Sequence, residues 1–278
     1  MLLLRSVMIA SPRARSGERV TFFLGEIDLL WQLTSYGLLM VAGFLAGIVN
    51  TVAGGGSFLT LPALMLFGLD PKTANATNRI AILCSTASAV ATFRKHGHLD
   101  RALTIRLGVP TLAGVPVGAL LAVYLSADAF ESVFGVLFIV MAVLLMANPK
   151  RFLESGQHAT YPAAWQYPVF FSIGIYVGFI QAGMGILLLL AMSFFTNSTL
   201  AASNAVKNSI GLVVTLTAAI VFIAYGMVDW VPGLVMAVGN VVGGVVGAQL
   251  AIKRSSRFVF IFLVIVMMAT GIKLVLSP

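Results

Sequence analysis

The chain has 278 residues, of which 59% are hydrophobic and only 9% charged, with a mean hydropathy of +1.02 and a formal net charge of +8. Soluble domains carry about 25% charged residues, and burial saturates too early for a chain of this length to hide so much apolar surface, so a soluble globular fold is excluded. The single cysteine, Cys84, excludes a disulfide framework and a thiolate metal site. The basic residues sit in short loops between apolar runs, the pattern of cytoplasmic loops, and no basic helix or aromatic stacking platform points to nucleic acid.

In chain order, residues 1–29 form an N-terminal extension in which a short apolar run (Leu2, Leu3, Leu4) precedes Arg13, Arg15 and Arg19. The run is too short for a signal-peptide core, and the extension is expected to be disordered or mis-started. Ten apolar segments follow, near 31–49, 54–68, 74–93, 103–124, 129–147, 165–181, 184–196, 200–225, 230–252 and 257–276. Most reach the ~20 residues that cross a ~30 Å hydrocarbon core. The second and seventh are shorter, at roughly 20–22 Å as helices, and each follows a Gly-rich break. Whether these two cross fully is open, so the expected count is eight to ten helices.

An internal repeat organises these segments. Offset by 129 residues, positions 54–126 align with 183–255 without a gap, and 20 of the 73 positions are identical. The matches include Gly54 and Gly56 with Gly183 and Gly185, Asn75-Ala76 with Asn204-Ala205, Gly97 with Gly226, and Asp100 with Asp229. Upstream, Gly43, Gly47 and Asn50 resemble Gly174, Gly178 and Gln181 after a two-residue adjustment. The expected fold is therefore an all-α polytopic membrane protein of two five-segment repeats, 30–148 and 165–278, joined by a cytoplasmic linker, 149–164.

Five is odd, so the second copy should insert upside down. The loop charges agree: Arg94, Lys95 and Arg101 face a repeat-equivalent loop holding only Asp229, whereas Asp128 and Glu131 correspond to a loop with Lys253, Arg254 and Arg257. Lys150 and Arg151 also fall on the cytoplasmic side. The N-terminal arginines alone disagree.

Two motifs carry candidate chemistry. In Asn50-Thr51-Val52-Ala53-Gly54-Gly55-Gly56-Ser57, three consecutive glycines would cost roughly 1 kcal/mol each inside a helix. They predict a break followed by a helix starting near Ser57, whose free amides and positive dipole end suit an anion. Gly183-Met184-Gly185 is a weaker version, and Gln181 matches Asn50. The competing reading is close packing of small residues, which is expected outright for Gly43/Gly47, Gly114/Gly118 and Gly243/Gly247. The second motif is Asn75-Ala76-Thr77-Asn78-Arg79 with its counterpart Asn204-Ala205-Val206-Lys207-Asn208. If the short helices do not cross, Arg79 and Lys207 lie deep, where a cation costs several kcal/mol unless paired or hydrated. No acidic residue occurs in any central span, so an incoming anion would be the partner; otherwise both side chains snorkel to the interface. Arg106 and Lys273, near segment ends, are expected to snorkel. His96, His98 and His158 lack metal-ligand spacing, and no nucleophile–base set or cofactor motif is present, so neither an enzyme nor a cofactor or metal is expected.

The stretch GFLAGIVNTVAGGGSFLTLPALMLFGLDPKTANATNRIA at 43–81, with FRKHGHLD after it and GFIQAGMGILLLLAM and NAVKNSI in the second copy, resembles the sulfite exporter TauE/SafE family over about 30–276. The second copy departs from the family pattern at Met184 and lacks a proline matching Pro62, which weakens an equal role for both half-helices. The resemblance implies a bacterial inner-membrane permease exporting sulfite, sulfoacetate or related organosulfur anions. The resulting expectation is a secondary transporter working by alternating access, with the anion between the halves. Amides near Gly55, Gly56 and Ser57, with Asn50, would bind oxygen atoms, and Gly54, Gln181, Gly183 and Gly185 are further candidate substrate-binding residues. Arg79 and Lys207 would balance charge, and Asn75, Thr77, Asn78, Asn204 and Asn208 would orient the substrate. An anion channel is the alternative, and a membrane enzyme or accessory subunit the rival from another class. Substrate, direction, coupling ion and a homo-oligomeric state stay open.

Overall fold

The computed structural model describes residues 16–147 and 162–253. Nine α-helices lie among them: α1 Ser16–Val52, α2 Ser57–Leu66, α3 Pro71–Lys95, α4 Arg101–Tyr124, α5 Ala127–Ala147, α6 Gln166–Phe179, α7 Met184–Phe195, α8 Leu200–Ala224 and α9 Trp230–Lys253. No strand occurs among the described residues. The tenth segment, 257–276, most of the linker with Lys150, Arg151 and His158, and Lys273 lie outside them. The chain divides into two compact units at Leu38/Leu39.

The first unit differs from expectation. Residues 16–29, read as part of a disordered extension, continue α1 as helix. No proline interrupts them, and once an apolar run has nucleated a helix each further residue adds a hydrogen bond at little cost. Thr34 returns its hydroxyl to the Leu30 carbonyl at 2.7 Å, as a helical threonine does.

The second unit has an apolar core that also buries a cluster of polar side chains, and it exposes long apolar stripes that a soluble domain would hide. Among the described residues four stretches are long and apolar enough to span a bilayer: Leu30–Val52, Arg101–Tyr124, Leu200–Ala224 and Trp230–Ile252. On α8, Val213, Leu216, Ile220 and Ile223 are exposed at helical spacing, and on α9 Val231, Leu234, Val238 and Val242 repeat the pattern. Such a stripe needs an apolar solvent. By contrast α3 is central, and Asn75, Thr77, Asn78, Arg79, Ser85, Thr86 and Thr92 on it are buried. The protein is a multi-pass membrane protein.

Small residues fix the helix pairs. On α4 and α6, a Cβ on Gly114 or Gly118 would overlap the Phe171 or Ile175 carbonyl oxygen, and one on Gly174 or Gly178 would overlap that of Thr111 or Val115. On α1 and α9 the same occurs for Gly43 against Met236 and Gly243 against Phe44. The expected close packing is thus present. Lipid supplies no hydrophobic drive between helices, so backbone approach and dispersion must hold them.

The two breaks are where expected. Gly54 and Gly183 occupy the left-handed region at φ 82° and 73°, and short helices start at Ser57 and Met184. With 10 and 12 residues, α2 and α7 reach only about 15–18 Å, half a bilayer. The segment expected over 165–181 is also short: α6 has 14 residues, because the chain leaves the helix at Ile180 before the break. Local geometry recurs across the repeat. Gly97 and Gly226 (φ 73° and 67°) end α3 and α8, and the amides of His98 and Met227 close back on the carbonyls of Phe93 and Phe222 at 3.2 and 3.0 Å. Glycine there avoids the Cβ clash of the left-handed conformation.

Candidate functional site

A helix that stops in a buried interior leaves its last carbonyls without partners, and the negative end of its dipole attracts a cation. Both broken helices meet this need with side chains from α3 and α8. At the end of α6, the Tyr176 carbonyl accepts from the Ile180 amide at 2.7 Å. The next three carbonyls accept from α3: Arg79 Nη1 donates to Val177 O at 3.0 Å, Arg79 Nη2 to Gly178 O at 2.7 Å, and Asn75 Nδ2 to Phe179 O at 3.0 Å. The guanidinium also lies 4.7 Å from the Phe222 ring centre, a favourable cation–π distance.

The end of α1 is built the same way. Val49 O accepts from the Ala53 and Gly54 amides. Lys207 Nζ donates to Asn50 O at 3.0 Å and Thr51 O at 2.7 Å, and also to Asn204 Oδ1 at 2.8 Å. Asn208 Nδ2 adds bonds to Asn204 O at 2.8 Å and Thr51 O at 3.4 Å. Each cation therefore caps a helix that belongs to the other half of the sequence. Neither snorkels: Arg79 is 0% exposed and Lys207 2%.

Beside Lys207 the two breaks cross. The Gly185 amide donates to Gly54 O at 3.2 Å, and a Cβ on either glycine would overlap the other's Cα. Close backbone approach is why both positions are glycine. Asn78 Nδ2 donates to Ser57 Oγ at 3.3 Å, and Gln181 Nε2 donates to Thr215 Oγ1. Thr77 turns outward from this group and accepts from the Asp229 amide at 2.9 Å.

Arg79 and Lys207 are not together. Thr86 on α3 lies level with Gly211 on α8, 3.6 Å from where a Cβ on that glycine would stand. Arg79 precedes Thr86 yet stacks on Phe222, which follows Gly211, so α3 and α8 are antiparallel. Lys207, preceding Gly211, lies on the far side of that level. The two positions are displaced along the pair by about eleven residues, roughly 16 Å. The single centre expected to hold both cations is thus split into two polar ends: Asn75, Asn78, Arg79 and Ser57 at one, and Asn50, Asn204, Lys207 and Asn208 at the other. Gly54, Gly183 and Gly185 shape the breaks, with Gln181 held by Thr215. Gly55 and Gly56 lead into α2, and their carbonyls already accept from the Phe58, Leu59 and Thr60 amides, so the free amides expected there are largely taken up by the first turn.

Several buried atoms here have no hydrogen-bond partner: Asn75 Oδ1, Asn78 Oδ1, Arg79 Nε, Thr51 Oγ1, Gln181 Oε1 and Asn204 Nδ2. Buried polar atoms are normally paired, so such a concentration of unmet donors and acceptors is what a small polar guest would complete. The carbonyls of Val177, Gly178 and Asn50 and the ring of Phe222 were not legible as site groups. The available signal was that helices ending at the breaks need positive caps and that Arg79 and Lys207 are the buried cations among the described residues. Two cavities lie apart from these ends: an apolar groove of about 680 Å³ lined by Trp165, Val169, Ile173, Leu187, Leu190 and Phe194, and one of about 380 Å³ lined by Asp100, Arg106, Thr196, Asn197 and Ser198. The second adjoins the starts of α4 and α8, and Arg106 is exposed there.

The family model for the sulfite exporter TauE/SafE matches residues 39–274. The chain belongs to the TauE/SafE family. Relatives agree over nearly their whole lengths. A probable membrane transporter protein, ORF9, of Sinorhizobium sp is 27% identical over 90% of this chain and 95% of its own. YfcA of Escherichia coli K12, of the same description, is 31% identical over 86% of this chain and 88% of its own. YunE of Bacillus subtilis 168 is 23% identical over 87% and 97%. The TauE/SafE match begins at Leu39, where the second compact unit starts, and includes both breaks and both buried cations.

Proposed function

We propose that this member of the TauE/SafE family is a secondary transporter of small sulfur oxyanions, such as sulfite or a sulfonate, working by alternating access in the bacterial inner membrane. The observation that carries the reading is the pair of fully buried cations held only by neutral groups. Each shares its charge among carbonyl and amide oxygens or an aromatic face, so an anion can exchange for those dipoles and gain full charge neutralisation in a low-dielectric site. The crossing of Gly54 on Gly185, beside the Lys207 side chain, acts as the barrier. An anion bound among Asn204, Lys207 and Asn208 faces one compartment, and one bound among Ser57, Asn75, Asn78 and Arg79 faces the other. The family name points to sulfur anions, and the unpaired donors Arg79 Nε at one end and Asn204 Nδ2 at the other suit an anion's oxygen atoms.

Alternation requires two halves that exchange roles, and we read 30–148 and 165–278 as repeats inserted in opposite orientation. The antiparallel α3 and α8, the paired glycine turns and the crosswise capping all support this. In a Cys84→Ala background, Lys95→Cys and Ala224→Cys occupy repeat-equivalent, exposed positions. A membrane-impermeant maleimide added to intact cells is expected to label one and not the other. Equal labelling of both would remove the inverted arrangement.

The transport reading is tested with purified protein in proteoliposomes. Uptake of labelled methanesulfonate or sulfite is expected to saturate and to accelerate several-fold when unlabelled anion is present on the opposite side. Flux rising linearly with concentration, without acceleration, would identify a channel; none above empty liposomes would end the reading for these anions.

A further inference from the structure

The two buried cations differ in one chemical respect. Arg79 holds a guanidinium that stays charged in any protein setting, whereas Lys207 carries an amine, a group able to exchange a proton. Their repeat partners are neutral: Arg79 aligns with Asn208, and Lys207 with Asn78. Only one end of the molecule can therefore change its charge. We infer that Lys207 is the coupling site of the transporter, binding one proton together with the anion and releasing both on the other side.

The geometry supports this. Lys207 Nζ has three oxygen neighbours at 2.7–3.0 Å: Asn50 O, Thr51 O and Asn204 Oδ1. An ammonium supplies three donors and matches them. A neutral amine supplies two donors and a lone pair, so one oxygen would face that lone pair and be repelled. Loss of the proton thus loosens the cap on α1, whose last turn leads into the Gly54 break. The balance is simple: amine plus proton plus anion gives an ammonium–anion pair, with no net charge on the Lys207 end either loaded or empty. Moving a neutral unit avoids the cost of carrying an uncompensated charge through the membrane.

Among the described residues, none of the groups bonded to Lys207 Nζ or packed at Gly185 against its side chain is titratable. Around Lys207, α1 offers Asn50, Thr51 and Val52, α7 offers Gly185, and next to it α3 and α9 offer Ala89, Phe93, Ala248 and Ala251. On α3, Lys72 donates to Val123 O and Leu125 O of the α4 end. Arg94 and Lys95 are exposed at the end of α3, Arg101 and Arg106 are exposed on α4, and Arg79 is bound to α6. Of the α6 tyrosines, Tyr167 is exposed and Tyr176 donates to Ala182 O.

The inference rests on the anion-transport reading, and methanesulfonate separates the two. This anion is never protonated near neutral pH, so any proton that accompanies it is carried by the protein. In wild-type proteoliposomes an acidic exterior is expected to drive methanesulfonate accumulation at least several-fold over equal pH. An entrapped pH dye should report inward proton flow with a stoichiometry near one. In Lys207→Arg, where the charge cannot be lost, whatever exchange survives is expected to show no accumulation under the same gradient. Wild-type exchange that is saturable but moves no protons would overturn the coupling role and leave the transport reading intact. Absence of both exchange and uptake would remove the two together. If Lys207→Arg does not fold, the wild-type dye measurement decides.

Discussion

Arg79→Ala is expected to reduce anion exchange at least tenfold and to destabilise the protein by roughly 3 kcal/mol or more. The guanidinium satisfies two carbonyls at the end of α6 and lies on Phe222. Each buried acceptor left without a donor costs about 1–3 kcal/mol, and the lost cation–π contact adds to this. Water cannot easily replace the guanidinium, since the site is fully buried. Arg79→Lys is the informative companion. It keeps a charge at this end but has no planar fork to reach Val177 O and Gly178 O together, so stability should fall less than for alanine while exchange stays strongly impaired. Thermal unfolding in detergent and proteoliposome exchange measure the two quantities separately. An alanine variant that melts and exchanges like wild type would show that neither the cap nor the charge matters.

The second large effect is expected at the crossing. Gly54→Ala places a methyl group against Gly185 Cα and the Ile186 amide, at a backbone φ of 82°. Left-handed backbone alone costs a non-glycine residue about 1–2 kcal/mol, and the overlap is with main chain that cannot rotate away. The two breaks must separate, losing the bond from the Gly185 amide to Gly54 O. Transport is expected to fall below a tenth of wild type, with a melting temperature lowered by several degrees. Gly135→Ala on α5 is the control, since nothing lies within 4 Å of the added carbon. Inside a helix that change should be neutral or stabilising by about 1 kcal/mol. Were Gly54→Ala as stable and active as Gly135→Ala, the crossing would not be a tight barrier.

Much of this architecture was legible before any coordinates. Composition demanded a bilayer, the 129-residue repeat demanded two similar halves, and three adjacent glycines demanded a helix break before Ser57. These are local or averaged properties: hydropathy sums over a segment, and glycine's cost in a helix depends on its own backbone. The same logic located Arg79 and Lys207 as cations without an acidic partner. It misjudged the N-terminal boundary, because helix propagation through 16–29 depends on a nucleus further along the chain.

What the chain could not disclose alone is which groups meet. Arg79 reaches Val177 and Gly178, nearly a hundred residues away, and Lys207 reaches Asn50 and Thr51 across a greater distance. Those acceptors are main-chain carbonyls, which every residue possesses, so no residue type marks them. Antiparallel packing of α3 on α8 then sets the two cations roughly 16 Å apart, a separation that follows from helix direction and register. Residue identities determined that buried charges and broken helices would exist; only the tertiary arrangement decided that each charge would hold the broken helix of the opposite half.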